Sequence, residues 1–394
     1  MIILSIETSC DETALSLVSL HKGDKNIKVL SDLVISQIET HAPYGGVFPA
    51  LAKREHAKNL VPILRQAVKE SKIESTHQHY DEEGVATILE REPELFQDLH
   101  EYLSTNGIPH IDMIMVTYGP GLAPALWVGV NFARALSIIC DAPIVPVNHM
   151  EGHITSILLK EDYLNQEKAF SPLETFDFPL IALLISGGHT QLVLVKNWGE
   201  YEIIGETIDD AVGEAFDKVA RLLGMEYPGG PKISQAAHGG VPDKSISLPR
   251  PMLNSGDYRF SFSGLKTAVR YLVDDLKKQH DGTLPDQIIS NVAREFEDAV
   301  TEVLIKKTEK ALVDYNAQGL IIAGGVSANT FITESFKIIA ENHGIPLYLP
   351  LKKLSGDNSL MIASAGVINY WNKGAESYIP ESELKAVGNL KLGK

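Results

Sequence analysis

Two stretches of this chain, far apart in sequence, follow one plan, and that duplication limits the folds open to it. Residues 2–20 read as a strand, a polar turn (Glu7-Thr8-Ser9-Cys10-Asp11-Glu12-Thr13) and a second strand from Ala14 to Leu20. Residues 179–195 repeat the pattern: the run Pro179 to Ile185, the turn Ser186-Gly187-Gly188-His189-Thr190, then Gln191 to Val195. Each half later adds a strand, a glycine loop and an amphipathic helix. In the first half these are Met113–Val116, Gly119-Pro120-Gly121-Leu122 and Val128–Ile139. In the second they are Leu320–Ala323, Gly324-Gly325-Val326-Ser327-Ala328-Asn329 and Thr330–Ala340. Strands that alternate with helices make α/β layers. Two hairpins, each opening its own half, imply two related α/β domains facing each other across a cleft. The expected division is 1–150, 151–350, and a 351–394 segment carrying Asp357 and a helix that returns to the first domain.

At 394 residues the chain is long enough for two domains with separate cores. Its 44% hydrophobic and 22% charged content is that of a water-soluble globular protein. Twenty apolar residues never run together, so no membrane span and no membrane partner are expected. The sequence shows no signal peptide or Arg-rich transit peptide. Cys10 and Cys140 cannot form a disulfide framework and suit a reducing compartment. A net charge of −16 argues against a passive nucleic-acid coat. Much of the excess lies in an acidic insert at about residues 71–105, which reads as a loop plus a short helix near Pro93, a solvated appendage.

His149 and His153 are four residues apart. On a helix, four steps of about 100° place the imidazoles roughly 40° apart on one face, a two-point clamp for a divalent metal. The zinc-protease helix has its general base directly after the first histidine. Here that position is Met150, and Glu151 lies about 200° round the helix from His149. The protease template is therefore not met. The pair alone leaves open whether the histidines are ligands or ordinary packed side chains. Asp357, ahead of an apolar helix, can cap that helix or supply an oxygen ligand, and spacing does not choose between the two.

The turn Ser186–Thr190 can aim backbone amides at an anion, with the two hydroxyls as added donors, or can simply reverse a strand. The loop Gly324–Asn329 opens a helix and so turns amides toward an anion or nucleotide, with Asn329 also placed to cap. It is neither the three-glycine dinucleotide fingerprint nor a Walker loop. Asp209, Asp210, Glu214 and Asp217 recur at helical spacing, which usually means a solvated face. Tyr227-Pro228-Gly229-Gly230-Pro231 is a turn by composition.

Taken together, these runs resemble the TsaD-type tRNA N6-adenosine threonylcarbamoyltransferases, once misnamed O-sialoglycoprotein endopeptidases. The resemblance rests on Ile6–Thr13, Tyr44–Pro49, Gly119–Leu122, Asn148–His153, Ser186–Thr190, Asp209–Lys218, Tyr227–Pro231, Phe260–Lys266 and Gly324–Asn329, in order along the chain. The run Ser355-Gly356-Asp357-Asn358 departs from relatives that carry Cys-Thr before the aspartate, but it keeps Asp357 and Asn358. The resemblance implies an actin/Hsp70-like (ASKHA) fold, two related α/β domains around a nucleotide cleft. It implies transfer of a threonylcarbamoyl group from threonylcarbamoyl-adenylate to N6 of adenosine 37 in tRNAs reading codons that begin with A.

By the same resemblance, His149, His153 and Asp357 bind one divalent metal, zinc or iron. Leu184, Ile185, Ser186, Gly187 and Gly188 cradle the phosphate and acyl groups. Asp217 contacts ribose, Gly230 lets the nucleoside lie against backbone, and Asn329 binds from the second domain. Asp11 and Glu12, at the first turn, are the candidates to position the amine or relay its proton, or else they simply order that turn. A separate threonylcarbamoyl-adenylate synthase is implied upstream, and the tRNA anticodon loop is the partner. Tyr44-Gly45-Gly46 with Lys53–His56 favours the bacterial and mitochondrial branch, and the insert favours a mitochondrial-matrix homodimer over a cytoplasmic protein. For tRNA contact, Arg250, Arg259, Lys266 and Arg270 surround Tyr258, Phe260 and Phe262, a set that can take phosphates and stack a base, or can equally be a buried Phe pair among solvated charges. A metalloprotease, and a sugar-kinase or chaperone-like ATPase on the same fold, are the competing readings.

Overall fold

A computed structural model describes residues 1–21, 27–159, 161 and 176–393. Two units emerge: Met1–Thr40 with Val47–Thr175 and Gly356–Lys394, and His41–Gly46 with Phe176–Ser355.

In the first unit, Ile2–Glu7 (β1) and Glu12–Leu20 (β2) form an antiparallel hairpin, extended by Ile27–Ser36 (β3). Met113–Gly119 (β4) and Ile144–Asn148 (β5) add in parallel on the other side of β1, giving the order β3-β2-β1-β4-β5. β1 and β4 are near-continuous apolar runs because both faces of the sheet are covered. Pro49–Ser71 (α1) begins on a proline, whose missing amide costs nothing at that position. It turns Leu60, Ile63, Leu64 and Ala67 into the core.

The acidic insert is not the solvated appendage its charge suggests. It folds as Glu82–Ile88 (α2), capped by Asp81, and Pro93–Asn106 (α3). Leu95, Leu99, Tyr102 and Leu103 recur at helical spacing on α3 and are buried in the first unit's core with Val85 and Leu89. The acids occupy the opposite face. Glu92 is itself buried and pairs with Lys53 Nζ of α1 at 2.8 Å.

Ala123–Cys140 (α4) starts five residues before the apolar period at Val128, because Pro124 fits a first turn whose amides have no intrahelical partner. By length and composition α4 could cross a membrane. Here Leu126, Val128, Phe132, Leu136 and Ile139 are buried, which makes it a core helix. His149–Thr155 (α5) follows β5 directly.

The second unit repeats the topology. Leu180–Ile185 (β6), Thr190–Asn197 (β7) and Glu200–Glu206 (β8) are antiparallel; Gly319–Ala323 (β9) and Leu347–Tyr348 (β10) add in parallel, in the order β8-β7-β6-β9-β10. Helices Val212–Leu222 (α6), Gly229–His238 (α7), Ser263–Gln279 (α8), Asp286–Asp314 (α9) and Thr330–His343 (α10) surround a core built on Phe216, Phe260, Phe262, Phe296 and Phe336. α10 runs past Ala340 and stops at Gly344, which takes the left-handed conformation of a helix C-terminus. The chain then returns to the first unit through Ser359–Lys373 (α11).

Candidate active site

The histidine pair is set by the end of β5. Asn148 leaves the strand and caps α5, its Oδ1 accepting from the amides of Met150 (2.9 Å) and Glu151 (3.4 Å). The cap starts the helix at His149 and brings His153 over it one turn later. Their rings meet edge to face with centroids 4.7 Å apart. Glu151 faces away and accepts from Asn369 Nδ2 at 3.0 Å, as its angular position on the helix requires.

Asn358, not Asp357, caps α11: its Oδ1 accepts from the Met361 amide at 3.0 Å. Asp357 is thereby released toward the histidines. Its Oδ1 lies 3.5 Å from His149 Nε2 and 3.2 Å from His153 Nε2. One donor atom from each of His149, His153 and Asp357 falls within 4.8 Å of the others. His153 is 1% exposed; its Nδ1 has no hydrogen-bond partner among the described residues, and its Nε2 meets the Asp357 carboxylate at 3.2 Å without a well-formed hydrogen bond. A buried imidazole left so is costly unless something else binds it. Two imidazoles and a carboxylate, with coordination positions to spare, fit a divalent metal.

Glu7, at the end of β1, was not marked by sequence reasoning. Its Oε2 lies 3.0 Å from His149 Nδ1 and also accepts from Thr117 Oγ1 at 2.6 Å; Oε1 accepts from the Ser9 amide. A carboxylate can only accept, so His149 donates from Nδ1, and Nε2 is the nitrogen turned toward Asp357. Burial pulls the His149 pKa down, but the charges of Asp357 and Glu7 and the hydrogen bond to Glu7 outweigh it and lift it to about 9. A fully buried acid closing an apolar strand was the available signal.

Asp11 and Glu12 belong to the same unit, on the turn between β1 and β2. Burial, then the charges of Asp357 and Asp11, hold the Glu12 carboxyl well above the ordinary range. His56 of α1 steadies the turn: its Nε2 donates to the Cys10 carbonyl at 3.0 Å, and Nδ1 lies 2.8 Å from Thr13 Oγ1.

Of the remaining sequence-predicted residues, all in the second unit, Leu184–Gly188 and Asn329 lie at or just past the C-terminal ends of β6 and β9, where parallel strands commonly present a ligand site, and Asp217 and Gly230 lie on α6 and α7. Leu184 and Ile185 have fully buried side chains, so only their backbone can face a ligand. Gly187 and Gly188 are exposed turn residues. Thr190 differs from expectation: it is buried, and its hydroxyl accepts from the Val212 amide at 2.8 Å, starting α6 rather than donating to a ligand. Gly324, at φ +91°, would place a Cβ 2.5 Å from the Ile185 carbonyl oxygen, so only glycine lets the second loop close against the first. In that loop Ser327 is 8% exposed and its hydroxyl has no partner among the described residues.

Asp209 and Asp210 precede α6, so the four acids do not share one helix as their spacing suggested. Asp210 and Glu214 pair with Lys218 at 2.8 and 2.9 Å. Asp217 Oδ1 accepts from the Gly229 amide at 2.7 Å, beside Gly230, and lines a cavity of about 320 Å³ with Tyr44, Arg221 and Tyr227. Asn329 caps α10 by accepting from the Ile332 amide at 3.0 Å, while its Nδ2 donates to Ser234 and Glu297.

Of the two readings open for the aromatic-basic run, the buried Phe pair is the one found. Phe260 and Phe262 are fully buried and stacked on each other, because they fill the second unit's core. Tyr258 donates its hydroxyl to Asp314. Arg250 pairs with Glu295 and Glu302, and Arg259 with Asp257.

The strand order shared by both units is that of the actin/Hsp70-like (ASKHA) class. A crystal structure of full-length HypF in a phosphate- and nucleotide-bound form shares the fold, with a TM-score of 0.53 and 12% identity over 95% of this chain, which spans 47% of that one. The family model described as "TsaD: tRNA N6-adenosine threonylcarbamoyltransferase" matches residues 28–79 and 96–364, passing over part of the insert. Curated proteins named tRNA N6-adenosine threonylcarbamoyltransferase are similar along nearly the whole chain. The Thermosipho africanus protein is 39% identical, covering 100% of both chains. That of Persephonella marina is 40% identical over 95% of this chain and 92% of its own, and that of Methylobacillus flagellatus 42% over 93% and 92%. The chain belongs to the TsaD family of tRNA N6-adenosine threonylcarbamoyltransferases.

Proposed function

We propose that this enzyme moves a threonylcarbamoyl group from threonylcarbamoyl-adenylate to N6 of adenosine 37 in tRNAs that read ANN codons. Similarity along the full chain to transferases of that name carries the reading, and the buried His149–His153–Asp357 cluster gives it a centre. The exocyclic amine of adenosine is a weak nucleophile, so the site must hold donor and acceptor together, stabilise charge on the carbonyl oxygen and exclude water.

His149, His153 and Asp357 would hold a zinc or iron ion, which supplies a Lewis acid for a phosphoryl or carbonyl oxygen. Glu7 orients His149 for that role. Ser186–Gly188 and Gly324–Asn329 would bind the adenylate, with Asp217 at the ribose and Gly230 leaving backbone clear beside it. Apart from chain neighbours and the helix's own backbone, nothing described lies within 4 Å of where a Cβ on Gly187, Gly188, Gly230 or Gly325 would sit, which suits backbone contact with a ligand. Asp11 and Glu12 share the remaining task. Burial, then the charges of Asp357 and Asp11, raises the Glu12 carboxyl pKa, which suits this turn to relaying the proton lost by N6.

Reconstitution with tRNA, threonine, bicarbonate, ATP and a threonylcarbamoyl-adenylate synthase tests the function. Digested tRNA should contain threonylcarbamoyl-adenosine by mass spectrometry. Absence of product with an active synthase and competent tRNA refutes the reading. A homodimer in the mitochondrial matrix belongs to the same proposal, checked by sedimentation and by cell fractionation.

A further inference from the structure

Glu297 lies in the middle of α9, away from every run that marked the site in sequence, and it is 3% exposed. Its Oε1 accepts from Ser234 Oγ at 2.8 Å and from Asn329 Nδ2 at 2.8 Å. Asn329 Nδ2 also donates to Ser234 Oγ at 2.8 Å. The three side chains form a closed triangle with one acceptor at its apex. Asn329 belongs to the loop after β9, which meets β6 through Gly324 and Ile185. Ser234 is four residues beyond Gly230 on α7, and therefore on the same face of that helix.

Glu297 thus ties together the two segments expected to hold the nucleoside. The hydrogen-bond count makes the tie directional. Both hydrogens of Asn329 Nδ2 are engaged and its Oδ1 caps α10, so the amide cannot flip without losing bonds at both ends. One Oδ1 lone pair is left to accept from a ligand. Fixing a polar group before the ligand arrives removes an ordering cost from binding.

We propose that Glu297 is a positioning residue for the adenylate subsite, holding Asn329 and the Gly230 face of α7 in register; this rests on the reading that the second unit binds threonylcarbamoyl-adenylate. Replacing it with leucine removes the acceptor, whereas glutamine keeps a carbonyl oxygen for the same two donors.

The test is calorimetric titration of a non-hydrolysable threonylcarbamoyl-adenylate analogue into wild type, Glu297→Leu and Glu297→Gln, with KM for adenylate and for tRNA measured alongside. Glu297→Leu should weaken the analogue and raise the adenylate KM about tenfold or more, leaving metal content and the tRNA KM unchanged. Glu297→Gln should recover most of the affinity. A folded Glu297→Leu that binds like wild type overturns the proposal, even if its melting temperature falls. Should that variant not fold, Ser234→Ala decides: an adenylate Kd raised severalfold supports the triangle, and an unchanged one overturns it. Wild type that does not bind the analogue removes the parent reading as well, an outcome distinct from failure of the variants alone.

Discussion

Oε2 of Glu7 lies 3.0 Å from Nδ1 of His149, so the first strand of the chain sets which nitrogen of the first histidine faces Asp357. Substituting an outer-sphere carboxylate of this kind costs about 10- to 100-fold in metal affinity. Glu7→Gln should show that loss in chelator competition while keeping its far-ultraviolet circular dichroism. Unchanged affinity would mean that the carboxylate only fills space at the end of β1.

His149→Ala should abolish stoichiometric metal and most threonylcarbamoyl-adenosine formation together, measured by plasma mass spectrometry and by nucleoside analysis. Full activity in metal-free protein would refute the His–His–Asp assignment.

Leu99 sits in the insert and is buried in the first unit's core. Leu99→Ala should cost about 2–5 kcal/mol in urea unfolding, whereas exposed Glu101→Ala should stay within about 0.5 kcal/mol. Equal, small effects would restore the view of the insert as an appendage.

Asp209 predicts a pH dependence. Burial pushes its carboxyl up, but hydrogen bonds from Ser261, Ser263 and the Phe262 and Ser263 amides outweigh this and hold its pKa below the ordinary carboxylate value. The unfolded state therefore binds this proton at higher pH than the folded state. The group's contribution is complete above the unfolded pKa, about 3.9, and disappears as pH falls through the lower folded value. Wild type should exceed Asp209→Ala in stability at pH 7, and the gap should narrow below about pH 4. A gap that widens in acid would contradict the sign.

Burial raises the Cys140 thiol to about 12, and burial followed by the charge of Asp11 raises Cys10 well above its usual value. At pH 8 a thiol with a pKa of about 12, as at Cys140, is about one part in 10,000 thiolate. Neither cysteine should react with iodoacetamide in the native protein within an hour, and both should react in urea. Rapid native labelling at Cys10 would show that its turn opens.

The duplicated fold was legible because both hairpins are apolar runs broken by short polar turns, and the pleat admits few other readings. The histidine pair was legible for a similar reason, since Asn148 made the helix start local. Long-range partners were not. Glu7 and Glu297 act across the fold, and nothing in their immediate neighbours announces it. Charge misled in the insert, where nine acids concealed a stripe formed by Leu95, Leu99 and Tyr102. The aromatic-basic run left two readings open, and Phe260 and Phe262 belong to the core. Asp357 was the cap candidate in sequence, with a ligand role as its alternative, and the helix is capped instead by Asn358.

Asp357 lies beyond the whole second unit in sequence yet belongs to the first. A ribosome therefore releases both histidines long before it releases their third partner. A nascent first unit would offer only His149 and His153 of the proposed metal site, too few ligands for tight binding. Asp357 would complete the set only after the second unit has been made, so tight metal retention would mark a chain translated past Asp357.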